Sequence, residues 1–249
     1  GDFRRAADAY GRAQQRARAL DDADALAVAA VNRAVCLLMD GGAQEARAAV
    51  DEALADARVS NARRAELLVA GARAETALDQ ADEALARVES ALKLEPEATL
   101  KAQALLARGA AWLEKKDTAA ATQALFEGMP AKEWERLPAS LRAEQAELRA
   151  AIAAADKKPA EALAFQDAAA ALWKKAGRLP EMARALAEAG RQAKVSDDLG
   201  KACDRFYRSA RSLWAQSLQP EAVKILEEGV ACAEKLKDDA VGKRMADLF

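Results

Sequence analysis

The chain has 249 residues, with 38 Lys and Arg against 40 Asp and Glu and a formal charge of −2. Such balance provides no global field toward phosphate backbones or anionic lipid, so nucleic acid is not an expected partner. His is absent and Cys36, Cys203 and Cys232 lack CxxC spacing, which removes most zinc sites and every mechanism needing an imidazole.

Only 6 Pro and 12 Gly punctuate a chain rich in Ala, Leu, Glu, Arg and Lys, and that composition is helical. No apolar run approaches the ~18 residues of a membrane span. The chain opens without Met, and GDFRRAADAYGRA has the pattern of the second helix of a hairpin. The expectation is a preceding first helix, alone or behind an export signal, which places a bacterial periplasm, reached through a lost signal or lipid anchor, slightly ahead of the cytoplasm.

In chain order the apolar spacing predicts helices at 2–19, 22–40, 42–58, 61–79, 81–94, 97–116 and 117–128. After these come 139–155, 159–176, 180–194, 198–218, 220–236 and 239–248. The clearest hairpin is 61–96. Its first helix carries Leu67, Leu68, Gly71, Ala72 and Leu78, and its second Ala81, Ala84, Leu85, Val88, Ala91 and Leu92. Asn61 is the expected cap and Pro96 blocks continuation. Between Gly128 and Pro138 two prolines bracket a loop or single turn around Trp134. The expected organisation is therefore repeats over 1–128, an irregular break at 129–138, and degenerate repeats with a cap over 139–249.

A period runs through these helices. Ala6, Ala46, Ala84, Ala121, Ala162 and Ala202 are 40, 38, 37, 41 and 40 residues apart, in the range of helical-repeat solenoids. Ala34, Ala72, Gly109, Ala150 and Gly190 recur in the helix before. Small residues at fixed offsets let helix axes approach closely.

On GDFRRAADAYGRA, ADEALARVESALKLEP and LLARGAAWLEKKD, with Gly109, Trp112 and Pro96, the chain resembles the tetratricopeptide repeat family over residues 1–128. It departs in its longer period and in Glu75, at a position normally aromatic or apolar. The resemblance implies an all-α, right-handed solenoid of about six helical hairpins. It also implies that first helices line a concave groove, here through Val31, Val35, Leu38, Val69, Arg73, Thr76, Leu106, Ala110 and Leu113. Glu147, Ala151, Ala154, Ala187, Arg191 and Lys194 continue the groove with a more polar wall.

Other chemistry is not supported. Asp21, Asp22 and Asp24 lack the alternating ligands and central Gly of a calcium loop. Gly41-Gly42 lacks the strand and Lys of a phosphate loop, and no carboxylate pair is converged for acid–base work. The expectation is a non-catalytic protein without a cofactor, holding a protein or peptide partner in its groove. The alternative is a carrier for an apolar, lipid-like molecule. Cys203 and Cys232 fall at matching heights on consecutive helices, which leaves a disulfide between them open.

Overall fold

The computed structural model describes residues 2–247. These form fourteen helices: α1 (Phe3–Ala19), α2 (Ala23–Met39), α3 (Ala43–Leu54), α4 (Asn61–Thr76), α5 (Ala81–Leu92), α6 (Ala98–Glu114) and α7 (Thr118–Phe126). They continue with α8 (Ala131–Trp134), α9 (Ala139–Ala155), α10 (Pro159–Lys175), α11 (Leu179–Val195), α12 (Leu199–Ala215), α13 (Gln219–Leu236) and α14 (Asp239–Ala246). No strand occurs among the described residues, and none of their helices is long and apolar enough to cross a membrane.

One turn, used nine times, links most of these helices. Asp21, Gly41, Asp79, Lys116, Lys157, Gly177, Asp197, Ser217 and Lys237 all have positive φ. The residue after each donates its backbone N–H to a carbonyl five residues back, as Lys158 does to Ala153 at 2.8 Å and Arg178 to Trp173 at 2.9 Å. This is the Schellman closure, which satisfies carbonyls orphaned at a helix end and turns the chain sharply. Most of the residues carrying the left-handed conformation are not glycine, so the closing bonds offset its cost. From α9 to α14 the helices begin at 139, 159, 179, 199, 219 and 239, a unit of twenty residues per helix and forty per hairpin.

The chain divides into two compact units, residues 1–131 and 132–249. In the first, each helix from α1 to α7 packs on the next; α2 also packs on α4, and α4 on α6. No packing of comparable extent joins α1 to α3, α3 to α5 or α5 to α7. Alanine explains the close row. Ala30, Ala34, Ala72, Ala74, Ala104 and Ala111 are fully or nearly fully buried, and a methyl group lets backbones approach at the short end of the usual ~8–10 Å.

The wider row is bridged by long charged side chains. Arg4 reaches Glu45 at 3.0 Å and Arg18 reaches Glu52 at 2.6 Å, both from α1 to α3; Arg87 on α5 reaches Asp51 on α3 at 2.7 Å. Partners lie 41, 34 and 36 positions apart, so each bridge spans one repeat. Exposed pairs such as the first two contribute only about 0–1 kcal/mol each, so the bridges set spacing more than stability.

In the second unit α9 to α14 pack in succession. Arg184 and Arg191 on α11 grip Glu221 and Glu228 on α13 through two nitrogens each, and Arg205 on α12 grips Asp167 on α10 in the same manner. Phe206 fills the core under Gly190.

Several local expectations are corrected. The helix expected over 42–58 ends at Leu54, because Asp56 accepts from the Arg58 backbone and guanidinium and folds the next residues into a turn. Ser60, not Asn61, caps α4, its hydroxyl accepting from the Arg63 amide. The loop or single turn expected between Gly128 and Pro138 is, by contrast, present as the one-turn helix α8, whose Trp134 is 2% exposed.

The glycines that bring helices together provide a stability test. A Cβ at Gly190 would stand 2.9 Å from the Phe206 ring, and that ring has no exposed face through which to retreat. Gly190→Ala is expected to destabilise by about 1–3 kcal/mol through overpacking, despite alanine's better helix propensity. Ala84→Trp, at a site with no exposure, should lose at least as much. Denaturant midpoints equal to wild type for both would place these residues outside the core.

Candidate functional site

In the first unit α2, α4 and α6 form the row of alternate helices in closest contact. Between these helices is a half-open cleft of about 310 Å³. Val31 and Val35 enter it from α2, one turn apart, and Val69 and Arg73 do the same from α4. On α6 the lining is Leu100 and Gln103, in its first two turns.

The cleft has an apolar floor and a polar rim. Val69 is 3% exposed and Leu100 9%, whereas Val35 remains 45% exposed. Asn32, Glu66, Glu97 and Thr99 stand around them, and Arg63 fixes the Glu66 carboxylate with contacts of 2.7 and 2.9 Å. The lining carries two carboxylates, Glu66 and Glu97, beside the Thr99 hydroxyl, the Asn32 and Gln103 amides and Arg73. Its chemistry is shape, apolar contact and hydrogen bonding.

Four of the nine residues expected on the groove therefore meet: Val31, Val35, Val69 and Arg73. The other five do not line this cleft. Leu106 is 5% exposed and used in packing; Leu38 is half-buried against the cluster that holds Ala34 and Leu37. Thr76 donates its hydroxyl to the Ala72 carbonyl at 3.0 Å, and Ala110 and Leu113 are half-buried. A fixed offset from the small residue assumes that all first helices stand in register. On α6 the lining lies about two turns nearer the N-terminus, because Leu106 is committed to the core. Leu100 and Gln103 were missed for this reason, and only their distance from Pro96, at the start of α6, hinted at a helix end facing the row.

Glu75, two residues beyond Arg73 on α4, is a buried acid at 3% exposure. Arg87 holds it at 2.6 Å and reaches Asp51 as well. Burial keeps the Glu75 carboxyl above its ordinary range in spite of Arg87, with Asp51 adding to the rise. Arg87 itself stays firmly charged, because its bonds to two acids outweigh its own burial. Gly71 provides the room, since a Cβ there would stand 2.7 Å from the Arg87 guanidinium. The triad locks α3, α4 and α5 together.

In the second unit, the positions expected to continue the wall are mostly used internally. Ala187 is buried and Ala154 half-buried, Arg191 is tied to Glu188 and Glu228, while Ala151 and Lys194 are exposed. Glu147 accepts the Trp173 indole N–H at 2.8 Å. Burial raises its carboxyl above the usual range, and the neighbouring carboxylates Glu144, Glu181 and Glu188 add to the shift against the indole bond. Cys203 and Cys232 are buried free thiols placed side by side. Burial, helped by Cys232, pushes the Cys203 thiol up to about 12, so it is protonated and unreactive at neutral pH.

No protein-family model matches the chain, and no curated protein matches it. Among solved structures, one described as the crystal structure of BtubC (BKLC) from P. vanneervenii superposes with a TM-score of 0.66 at 16% identity. The match covers 87% of this chain and 93% of that one. At that identity the likeness establishes a shared succession of packed helices and nothing about activity.

Glu147 provides a pH test. Its folded-state value lies above that of the unfolded chain, so the folded protein takes up this proton first on acidification. The carboxyl therefore costs stability near neutrality, and that cost vanishes as pH falls through the window between the two values. Glu147→Gln keeps an acceptor for Trp173 without the charge. Thermal midpoints from about pH 8 to about pH 4.5 should show the variant more stable at the upper end, with the difference closing toward the lower. A constant difference across the range would remove the assigned cause.

Proposed function

We propose that this protein is a non-catalytic binding scaffold of tetratricopeptide type, a right-handed solenoid of about six hairpins, whose α2–α4–α6 cleft receives a peptide segment of a protein partner. The observation that carries this reading is Val35. It is 45% exposed at the mouth of a cleft whose floor, Val69 and Leu100, is already buried, so an apolar side chain entering from solvent would cover it. The rim of Asn32, Thr99 and Gln103 offers donors and acceptors to a peptide backbone.

The alternative, a carrier for a lipid-like molecule, is less well supported by size. Pockets that enclose ligands run from about 300 to 1,000 Å³ and bury most of the ligand surface. A half-open space of about 310 Å³ accommodates one or two side chains and leaves an acyl chain largely in water.

Selection from a random phage-displayed peptide library against the whole chain should enrich sequences with a bulky apolar anchor. Val35→Asp should abolish binding of a selected peptide, read by fluorescence anisotropy, with helical circular dichroism unchanged because Val35 is a surface position. Leu106→Asp, at a buried site, should instead lower the thermal midpoint. Peptides that bind Val35→Asp as well as wild type would overturn the assignment, and a lipid retained in native mass spectra of the purified protein would favour the carrier.

A further inference from the structure

Glycine weakens a helix interior relative to alanine, and at Gly229 on α13 the gain that offsets this is contact with α12. An added Cβ there would stand 3.2 Å from Phe206 Cβ, so the glycine lets the two backbones approach closely. Cys203 precedes Phe206 by three residues and Cys232 follows Gly229 by three. The helices run antiparallel about the turn between them, where the Leu218 N–H donates to the Leu213 carbonyl at 3.0 Å. The two cysteines therefore fall opposite one another, one helical turn from the point of closest approach.

The sulfur positions agree with that register. Cys232 Sγ donates to the Leu199 carbonyl at 3.5 Å, in the turn of α12 that leads to Cys203, and the two thiols are in hydrogen-bonding contact. A disulfide joins Cβ atoms about 3.5–4.5 Å apart, a separation that the backbones allow beside Gly229. Both thiols are free in this structure. Cys203 lines a half-open space of about 200 Å³ with Gly200, Tyr207 and Met245, whereas Cys232 has no exposed surface.

We propose that Cys203 and Cys232 are a modification site, a dithiol that closes into a disulfide and staples α12 to α13. The oxidant is a small organic disulfide, RSSR, entering the space beside Cys203. The Cys203 sulfur, having lost its proton to water, attacks one sulfur of RSSR; a mixed disulfide forms and RS⁻ leaves, taking up a proton. The Cys232 sulfur, likewise deprotonated, then attacks Cys203 Sγ and displaces the second RS⁻, which is protonated in turn. The cysteine pair is oxidised by two electrons and RSSR is reduced to two thiols. Burial holds the Cys203 thiol protonated, so the first step is slow at neutral pH, as suits a structural staple rather than a catalytic thiol. Met245 packs on Gly229, so the bridge also fixes the seat of α14. The site lies in the second unit and does not rest on the function proposed for the cleft.

The test uses the whole chain carrying Cys36→Ala, a position in the other unit's core, so that only Cys203 and Cys232 can react. It is incubated with bis(2-hydroxyethyl) disulfide at about pH 8.5, then denatured and treated with a maleimide. Both thiols should escape labelling, and the intact mass should fall by two hydrogens, which distinguishes a bridge from an adduct. The rate should rise about tenfold per pH unit. Cys232→Ala should stop at the mixed disulfide on Cys203, with the mass raised by one hydroxyethylthio group. The bridged protein should melt at least about 4 °C above the reduced one. Two labelled thiols at equilibrium with native circular dichroism, adducts on both cysteines without closure, or a bridged form that melts below the reduced one would overturn the proposal.

Discussion

Close approach of helix backbones at alanine is the constraint on which the rest of the first unit depends. Where Ala30, Ala34, Ala72 and Ala104 are buried, α2, α4 and α6 touch directly. The alternate helices do not pack to that extent, and Arg4, Arg18 and Arg87 bridge the intervals to Glu45, Glu52 and Asp51. The cleft lies on the close row, where Val31 and Val35 on α2 stay partly uncovered above the buried Val69.

The alanine-rich interior has an energetic consequence. A buried methyl group contributes far less than a buried leucine, so each contact is weak and stability must accumulate along the stack through neighbour-to-neighbour interfaces. Larger side chains are concentrated where the small ones make room. Phe206 lies under Gly190, Met245 against Gly229, and the Arg87 guanidinium over Gly71. The last replaces what would be an apolar contact by an ion triad with Glu75 and Asp51. Breaking such a partly buried group costs more than building it contributes, so the triad fixes register among α3, α4 and α5 more than it adds to stability.

The recurring turn sets the spacing of these layers. A left-handed residue followed by a bond five residues back ends a helix at a defined carbonyl. Repeated at 157, 177, 197, 217 and 237, it makes the second unit a regular sequence of seventeen-residue helices from α9 to α12. The same regularity brings Arg184 and Arg191 opposite Glu221 and Glu228, each 37 positions away. With Ala187 buried and Arg191 held this way, the second unit presents no counterpart of the apolar cleft at those positions.

The helical class, the hairpin organisation and nearly all helix positions were legible in the sequence, because apolar spacing and small residues at fixed offsets are local, periodic signals. Val31, Val35, Val69 and Arg73 were placed together by the resemblance to tetratricopeptide repeats, which sets groove positions at fixed offsets from Ala34 and Ala72. Only the tertiary structure decided that Leu106 is core while Leu100 and Gln103 line the cleft, since that depends on where along its length α6 meets α4. It alone showed that Glu75 is neutralised by an arginine twelve residues away, and that Asp56 and Arg58 stop α3 at Leu54. The contact between Cys203 and Cys232 is likewise tertiary. Their matching heights were legible, but whether they face one another depends on how closely α12 and α13 approach at Gly229.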